Sequence, residues 1–264
     1  MRLKSFRITP IRDLDLLSNL QIKNFFTYFF KMGKGNEKSI AIGLFCFGKD
    51  KYFRQTKEKI ETIKKYGIDC FVLTDKPEVF EPLGVNVIPY IRKYKSYHDK
   101  LLLVKRLIRS YETTILMDVD IVIKNEQIFE YIQTYEFKYG ITYIETLENH
   151  RVKSKTIGDI NMSESEWDLY RVHLEKNVKN YQNMETVWEY FTVFNKVGFN
   201  YDRFFDVYEE FQVVKEYCDL SLKKDVRGAG EGVSMMVASK LSDTDIQRDE
   251  FLYDTISEFI EPNR

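Results

Sequence analysis

Apolar positions along this chain follow a helical rhythm at first and then settle, from about residue 39, into alternating strand-like and helix-like stretches. In the first part Leu16, Leu17, Leu20, Phe25, Tyr28 and Phe29 recur at helical intervals until Met32-Gly33-Lys34-Gly35-Asn36 breaks the pattern. Residues 1–38 are therefore read as an N-terminal helical appendage. Such a helix packs on the main domain in one reading and rests on a membrane surface through its phenylalanines in the other. From Ser39 the pattern predicts a strand over 40–47 ended by Gly48-Lys49-Asp50, and an amphipathic helix over 52–66 closed by Gly67. A second strand over 70–73 runs into Thr74-Asp75-Lys76-Pro77, and a third, short one covers 85–89. A helix over 96–110, a fourth strand over 115–123 and a helix over 127–135 complete the regular part. Strands separated by helices of this length imply βαβ units, an α/β fold and a mainly parallel sheet, taken here as residues 39–264.

Beyond residue 138 the pattern is less regular. It gives strands over 139–145 and 188–194, a polar loop over 150–161, and helices over 164–178 and 201–217. The glycine cluster Gly228-Ala229-Gly230-Glu231-Gly232 then opens onto a helix from Val233.

In sheets of this kind ligands bind beyond the carboxyl ends of the strands. Gly48-Lys49, Thr74-Asp75 and Asp118-Val119-Asp120 all fall at such ends and are expected to face one crevice. The last of these changes the picture most. Asp118 and Asp120 sit two residues apart in the apolar run Ile115-Leu116-Met117-Asp118-Val119-Asp120-Ile121-Val122-Ile123. Side chains at i and i+2 of an extended segment leave the same face, so the two carboxylates are expected to converge. Paired carboxylates in apolar surroundings repel each other and lose solvation, a cost offset when a divalent cation sits between them. Hard oxygen ligands suit Mn2+ or Mg2+, whose remaining positions are filled by water and phosphate oxygens. The bland alternative is a pair of solvated aspartates at a strand end.

Composition narrows the partners. The chain has 264 residues, 40 basic and 41 acidic, for a net charge of -1, so no global field draws it to nucleic acid or an anionic membrane. Cys46, Cys70 and Cys218 lack metal-ligand spacing and read as buried thiols in a reducing compartment. The expected localisation is cytoplasmic, with peripheral membrane contact through the N-terminal helix as the second reading. Met1 to Pro10 has no apolar secretory core, and Leu14 to Met32 is too interrupted by polar residues to span a bilayer.

With Asp118-Val119-Asp120 following an apolar strand, the chain resembles the nucleotide-sugar-dependent glycosyltransferases of the GT-A fold and their Asp-any-Asp motif. It is more distantly similar to glycosyltransferase family 6, through Phe71-Val72-Leu73-Thr74-Asp75-Lys76-Pro77 and through Tyr94-Lys95-Ser96-Tyr97-His98-Asp99 leading into a helix with Lys105 and Arg106. The likeness covers about residues 40–240, with Glu189-Tyr190-Phe191-Thr192-Val193-Phe194-Asn195 where that family carries a glycine-rich segment. It implies a GT-A-like domain, a nucleotide-sugar donor (a UDP-sugar first), a glycan or glycolipid acceptor and a role in surface polysaccharide synthesis. By the same resemblance Asp120 would ligate the metal, and Asp118 would hold the ion, a water or the donor ribose. Thr74 and Asp75 would meet the donor nucleotide, although Asp75 before Lys76-Pro77 is equally an ordinary turn residue.

Among the helix cations, Lys100 lies nearest the amino-terminal end, where anions are drawn, and is favoured over Lys105 and Arg106 for the diphosphate. Glu231, between two glycines, is the candidate catalytic acid, against a plain helix-start glutamate; Glu145 and Glu189 are weaker rivals. Trp188, Tyr190 and Phe194 offer a stacking face or core packing. His98, His150 and His173 form no ligand set, and the loop around His150 is read as a lid. Two other functions fit the acid pair. One is a haloacid dehalogenase-type phosphatase with Asp118 as nucleophile; the other is a non-catalytic carbohydrate- or nucleotide-binding module.

Overall fold

The computed structural model describes residues 39–91, 99–144, 190–210, 231–249 and 256–258, all within the larger of the chain's two units, Lys38–Arg264. The N-terminal helix, the 150–161 loop, the 164–178 helix, Cys218 and the three histidines lie outside the described residues.

Strand β1 (Ile40–Cys46) is followed by helix α1 (Asp50–Lys65), strand β2 (Asp69–Thr74) and strand β3 (Asn86–Pro89). Helix α2 (Lys100–Leu107), strand β4 (Thr113–Met117), the short strand β5 (Ile121–Ile123) and helix α3 (Gln127–Thr134) come next. Strands β6 (Ile141–Ile144) and β7 (Phe191–Asn195) precede a helix over 201–210 (α4), helix α5 (Glu231–Leu241), strand β8 (Ile246–Asp249) and strand β9 (Ile256–Glu258). Seven strands form one sheet in the order β3-β2-β1-β4-β7-β6-β8, in which β7 alone runs against the others. The expected α/β architecture with a mainly parallel sheet is what the chain adopts.

Each face of the sheet carries its own core. Ile42, Leu44, Val72, Ile115 and Met117 join Phe53, Ile60 and Ile63 of α1 and Ile128, Phe129 and Ile132 of α3. Leu116, Ile141 and Phe194 face the opposite way, onto Leu101 and Val104 of α2, Phe204 and Tyr208 of α4, and Met235 and Val237 of α5. The period-2 switch Ile115, Leu116, Met117 between the two cores is the strand signature the apolar run contained. Contact between α2 and β1 is close: a Cβ at Gly43 would lie 2.7 Å from Leu103 Cδ2.

Two expectations are corrected. The single strand over 115–123 is two strands: β4 pairs with β1 and β7, whereas β5 leaves the sheet to pair antiparallel with β9. Val119 and Asp120 form the turn between them, so the two carboxylates do not leave a shared strand face. The partner of β5 lies more than a hundred residues further along the chain, which no local pattern reveals. The second correction concerns α5, which already includes Glu231 and Gly232, so that Glu231 is a helix residue and does not precede a helix opening at Val233.

Candidate active site

The register fixes what meets at the carboxyl edge. Cys46 is level with Thr74, and Leu44 with Met117, so Val119 lies about level with the ends of β1 and β2. At a strand spacing of about 4.8 Å, the β2 end stands roughly 10 Å from the acidic turn. The three expected strand ends do share one edge.

Alternation along β4 decides where the turn points. Met117 faces the α1 core and Leu116 the α2 core, so Asp118 falls on the α2 side and Val119 on the α1 side, where it is buried. The Asp118 N–H donates to the Tyr190 carbonyl at 2.8 Å, continuing the β4–β7 ladder by one bond. On the α2 side, the Lys100 ammonium lies 3.1 Å and 3.4 Å from the two Asp118 carboxylate oxygens. Lys100 is 4% exposed and Asp118 20%. On the other side, Lys59 of α1 donates from Nζ to the Val119 carbonyl at 2.8 Å and is itself buried. Burial pushes the Lys59 ammonium down to about 8, against the pull of Asp120 first, then Glu58 and Asp118. The acidic turn is thus flanked by one lysine from each helical layer.

Lys59 was missed by the sequence reading. Its signal was present: Phe53, Thr56, Ile60 and Ile63 mark the buried stripe of α1, and Lys59 falls on that stripe three residues after Thr56.

The other candidates divide. Thr74 is buried; its hydroxyl accepts the Lys76 N–H at 3.1 Å and closes the turn after β2, while its carbonyl accepts the Tyr90 N–H at 2.8 Å and extends the β2–β3 ladder. Asp75 is exposed at the same edge. The Lys76 ammonium lies 4.6 Å from the Phe53 ring centre and 3.8 Å from Asp50 Oδ1. Lys105 is tied to Glu209 of α4, more than a turn further along α2 than Lys100, and Arg106 is exposed near its far end. Phe194 is core, and Tyr190 packs partly buried against the other core. β8 is parallel to β6 and, through β7, to β4; α5, which leads into β8 and packs on the sheet, therefore starts toward the carboxyl edge. That direction brings the backbone of Glu231 to the same edge of the sheet as the acidic turn. Trp188, Glu145 and Glu189 lie outside the described residues.

Comparison with known proteins places these features beside solved structures only: no family model matches the chain, and no curated protein does. Similar structures include a galactosyltransferase LgtC in complex with donor and acceptor sugar analogues, at 11% identity over 85% of this chain and 88% of that one, with a TM-score of 0.49. A 4-diphosphocytidyl-2C-methyl-D-erythritol synthase from Anaerococcus prevotii aligns at 12% identity over 84% and 92%, with a TM-score of 0.45. The glycosyltransferase GlyE of Streptococcus pneumoniae aligns at 12% identity over 83% of this chain and 47% of that one, with a TM-score of 0.41.

As a donor set, the turn offers two carboxylates, both partly open to solvent. Among the described residues no group of three or more His, Cys, Asp or Glu is placed to hold a metal. Two hard oxygen donors with solvent on one side suit a cation that keeps most of its coordination for water and ligand phosphate. Two further observations concern the described residues alone. Cys46 and Cys70 are free and buried, their thiols pushed by burial up to about 11 and about 12. No described helix is long and apolar enough to cross a membrane.

Proposed function

We propose that the chain is a metal-dependent glycosyltransferase that takes a sugar from a nucleotide-sugar donor, a UDP-sugar first among candidates, to a glycan or glycolipid acceptor. The observation that supports it is the Asp118-Val119-Asp120 turn at the carboxyl edge of a mainly parallel sheet, open to solvent and backed by buried lysines. A bound Mn2+ or Mg2+ would supply neutralisation of the departing diphosphate. Asp120 and Asp118 would hold it. In this reading Lys100 holds the Asp118 carboxylate in place at the edge, and Thr74 shapes the turn that puts Asp75 beside the nucleotide. Glu231, on α5, is the candidate for contact with the acceptor or the anomeric centre. A role in building a surface glycan, and contact of the N-terminal segment with a membrane, belong to the same proposal.

The test is Asp120→Ala assayed against a panel of nucleotide sugars with manganese, reading release of the nucleoside diphosphate. Turnover is expected to fall by at least a hundredfold at a temperature where circular dichroism shows the variant still fully folded, a control needed because Asp120 is only partly exposed and its loss leaves the buried Lys59 with less opposite charge. An unchanged rate refutes the assignment. Phosphate release from sugar phosphates, lost on Asp118→Asn, would instead mark a phosphatase, and binding without turnover a carbohydrate- or nucleotide-binding module.

A further inference from the structure

Lys59 is 8% exposed, and its ammonium donates to a single neutral acceptor, the Val119 carbonyl, at 2.8 Å. A buried ammonium costs more than one carbonyl returns, so it needs opposite charge nearby. That charge comes from the acidic turn: Asp120 acts on it most strongly, with Glu58 and Asp118 behind. Lys100, 4% exposed, stands at 3.1 Å from Asp118 on the other side. One buried lysine therefore sits on the turn's backbone between the two aspartates and the other against Asp118, so that two lysine charges offset the two aspartate charges of the turn before any ligand arrives.

This has a direct consequence for a cation. A bare divalent ion adds two positive charges to a neutral site and competes with Lys59 for Asp120. A divalent ion that arrives with a diphosphate brings its own negative charge, and both lysines keep a compensated surrounding. We propose that Lys59 is a positioning residue that neutralises the acidic turn from beneath, so that the turn accepts a divalent cation only together with a diphosphate. The inference rests on the metal-and-diphosphate reading of the site given above, and it assigns the selectivity to a residue on α1 that touches neither ligand.

Calorimetry on the full chain tests it. Manganese is titrated alone and in the presence of UDP, GDP and CDP in turn, into the wild type, Lys59→Met and Lys59→Arg. The wild type is expected to bind the bare ion at least tenfold more weakly than the ion with its preferred diphosphate. Lys59→Met is expected to bind the bare ion at least fivefold more tightly than the wild type, narrowing that gap, and Lys59→Arg, which keeps the charge, to restore it. A lysine that only propped up the turn would give the opposite sign, because a loosened turn binds the bare ion less well. Should the methionine variant fail to fold, Lys59→Gln replaces it, since its amide still donates to Val119. Equal wild-type affinity with and without diphosphate, or bare-ion affinity unchanged or weakened in Lys59→Met, overturns the proposal and leaves the metal-and-diphosphate reading standing. No manganese uptake by the wild type with any diphosphate overturns both.

Discussion

Asp118 and Lys100 form an ion pair whose two halves are unequally buried, and that inequality predicts an asymmetric response to mutation. At 3.1 Å and an effective dielectric of about 20, their attraction is 332/(20 × 3.1), about 5 kcal/mol before desolvation is subtracted. Asp118→Asn strips the carboxylate from an ammonium that is 4% exposed and has no direct way back to water. The expected loss is about 3 kcal/mol, toward the lower end for breaking a buried pair because Asp118 itself is partly solvated. Lys100→Met removes the ammonium instead and leaves a carboxylate that is 20% exposed and can regain water on its open side. Methionine fills most of the lysine stem's volume, so the expected loss is about 1 kcal/mol. For a domain of this size about 1 kcal/mol corresponds to roughly 2–4 °C, which makes the two shifts about 6–12 °C and 2–4 °C. Thermal and urea denaturation of the two variants and of the double variant provide the readings. The double variant should lie close to Lys100→Met alone, because it leaves neither charge of this pair without the other. If Lys100→Met is as damaging as Asp118→Asn, or if the two losses simply add, the burial argument is wrong.

Two further predictions concern the scaffold. Gly43→Ala puts a Cβ 2.7 Å from Leu103 Cδ2, so α2 or its leucine must shift, at about 1–3 kcal/mol in urea denaturation. Adding Leu103→Val should recover part of that loss; strict additivity would show that the clash is not its cause. The thiols of Cys46 and Cys70 rise from 9.0 in the ordinary case to about 11 and about 12 in the fold, so both stay protonated where the unfolded chain would already have ionised. Their contribution is fully present below pH 9 and is lost progressively as pH rises from 9 to about 11 for Cys46 and about 12 for Cys70, the loss reaching about 2 kcal/mol each by pH 10.5. The urea midpoint of the wild type should therefore fall more steeply between pH 8 and 10.5 than that of the Cys46→Ala, Cys70→Ala double variant, and parallel profiles would refute the assignment.

How far the sequence led depended on whether a feature was local. The strands around Ile42, Val72 and Ile115 and the helix carrying Ile60 and Ile63 were legible because each writes its burial into a short periodic pattern. The break inside Ile115 to Ile123 was not, because it arises from a change of hydrogen-bonding partner from β1 and β7 to β9. An apolar run looks the same whether one sheet or two receive it. The antiparallel sense of β7 was hidden for a similar reason, since direction is decided by the chain between Ile144 and Phe191 and not by Phe191-Thr192-Val193-Phe194-Asn195 itself. At the site, the aspartates stood out as charges in an apolar run. Lys59 did not, since one lysine in a helix rich in lysine and glutamate reads as solvated until its place on the stripe of Phe53, Thr56, Ile60 and Ile63 is noticed.

The pairing of one lysine with each side of the turn follows from the strand itself. In β4 consecutive side chains alternate between the α1 and α2 cores, so the two residues after Met117 must face opposite helical layers. Asp118 falls toward α2, where Lys100 opens the helix, and Val119 toward α1, where Lys59 finds its carbonyl. A slip of β4 by a single residue would turn Asp118 into the α1 core among Phe53 and Ile60 and would set Leu116 among the same residues' neighbours on the wrong face. The acid pair is therefore protected by the same register that buries Ile115 and Met117. A substitution that weakens that register, such as a polar residue at Leu116, should impair the site even though Leu116 touches neither aspartate. In such a variant, loss of diphosphate-dependent manganese uptake should begin at urea concentrations below the global unfolding midpoint, and coincident loss of the two signals would show that the turn is held independently of β4.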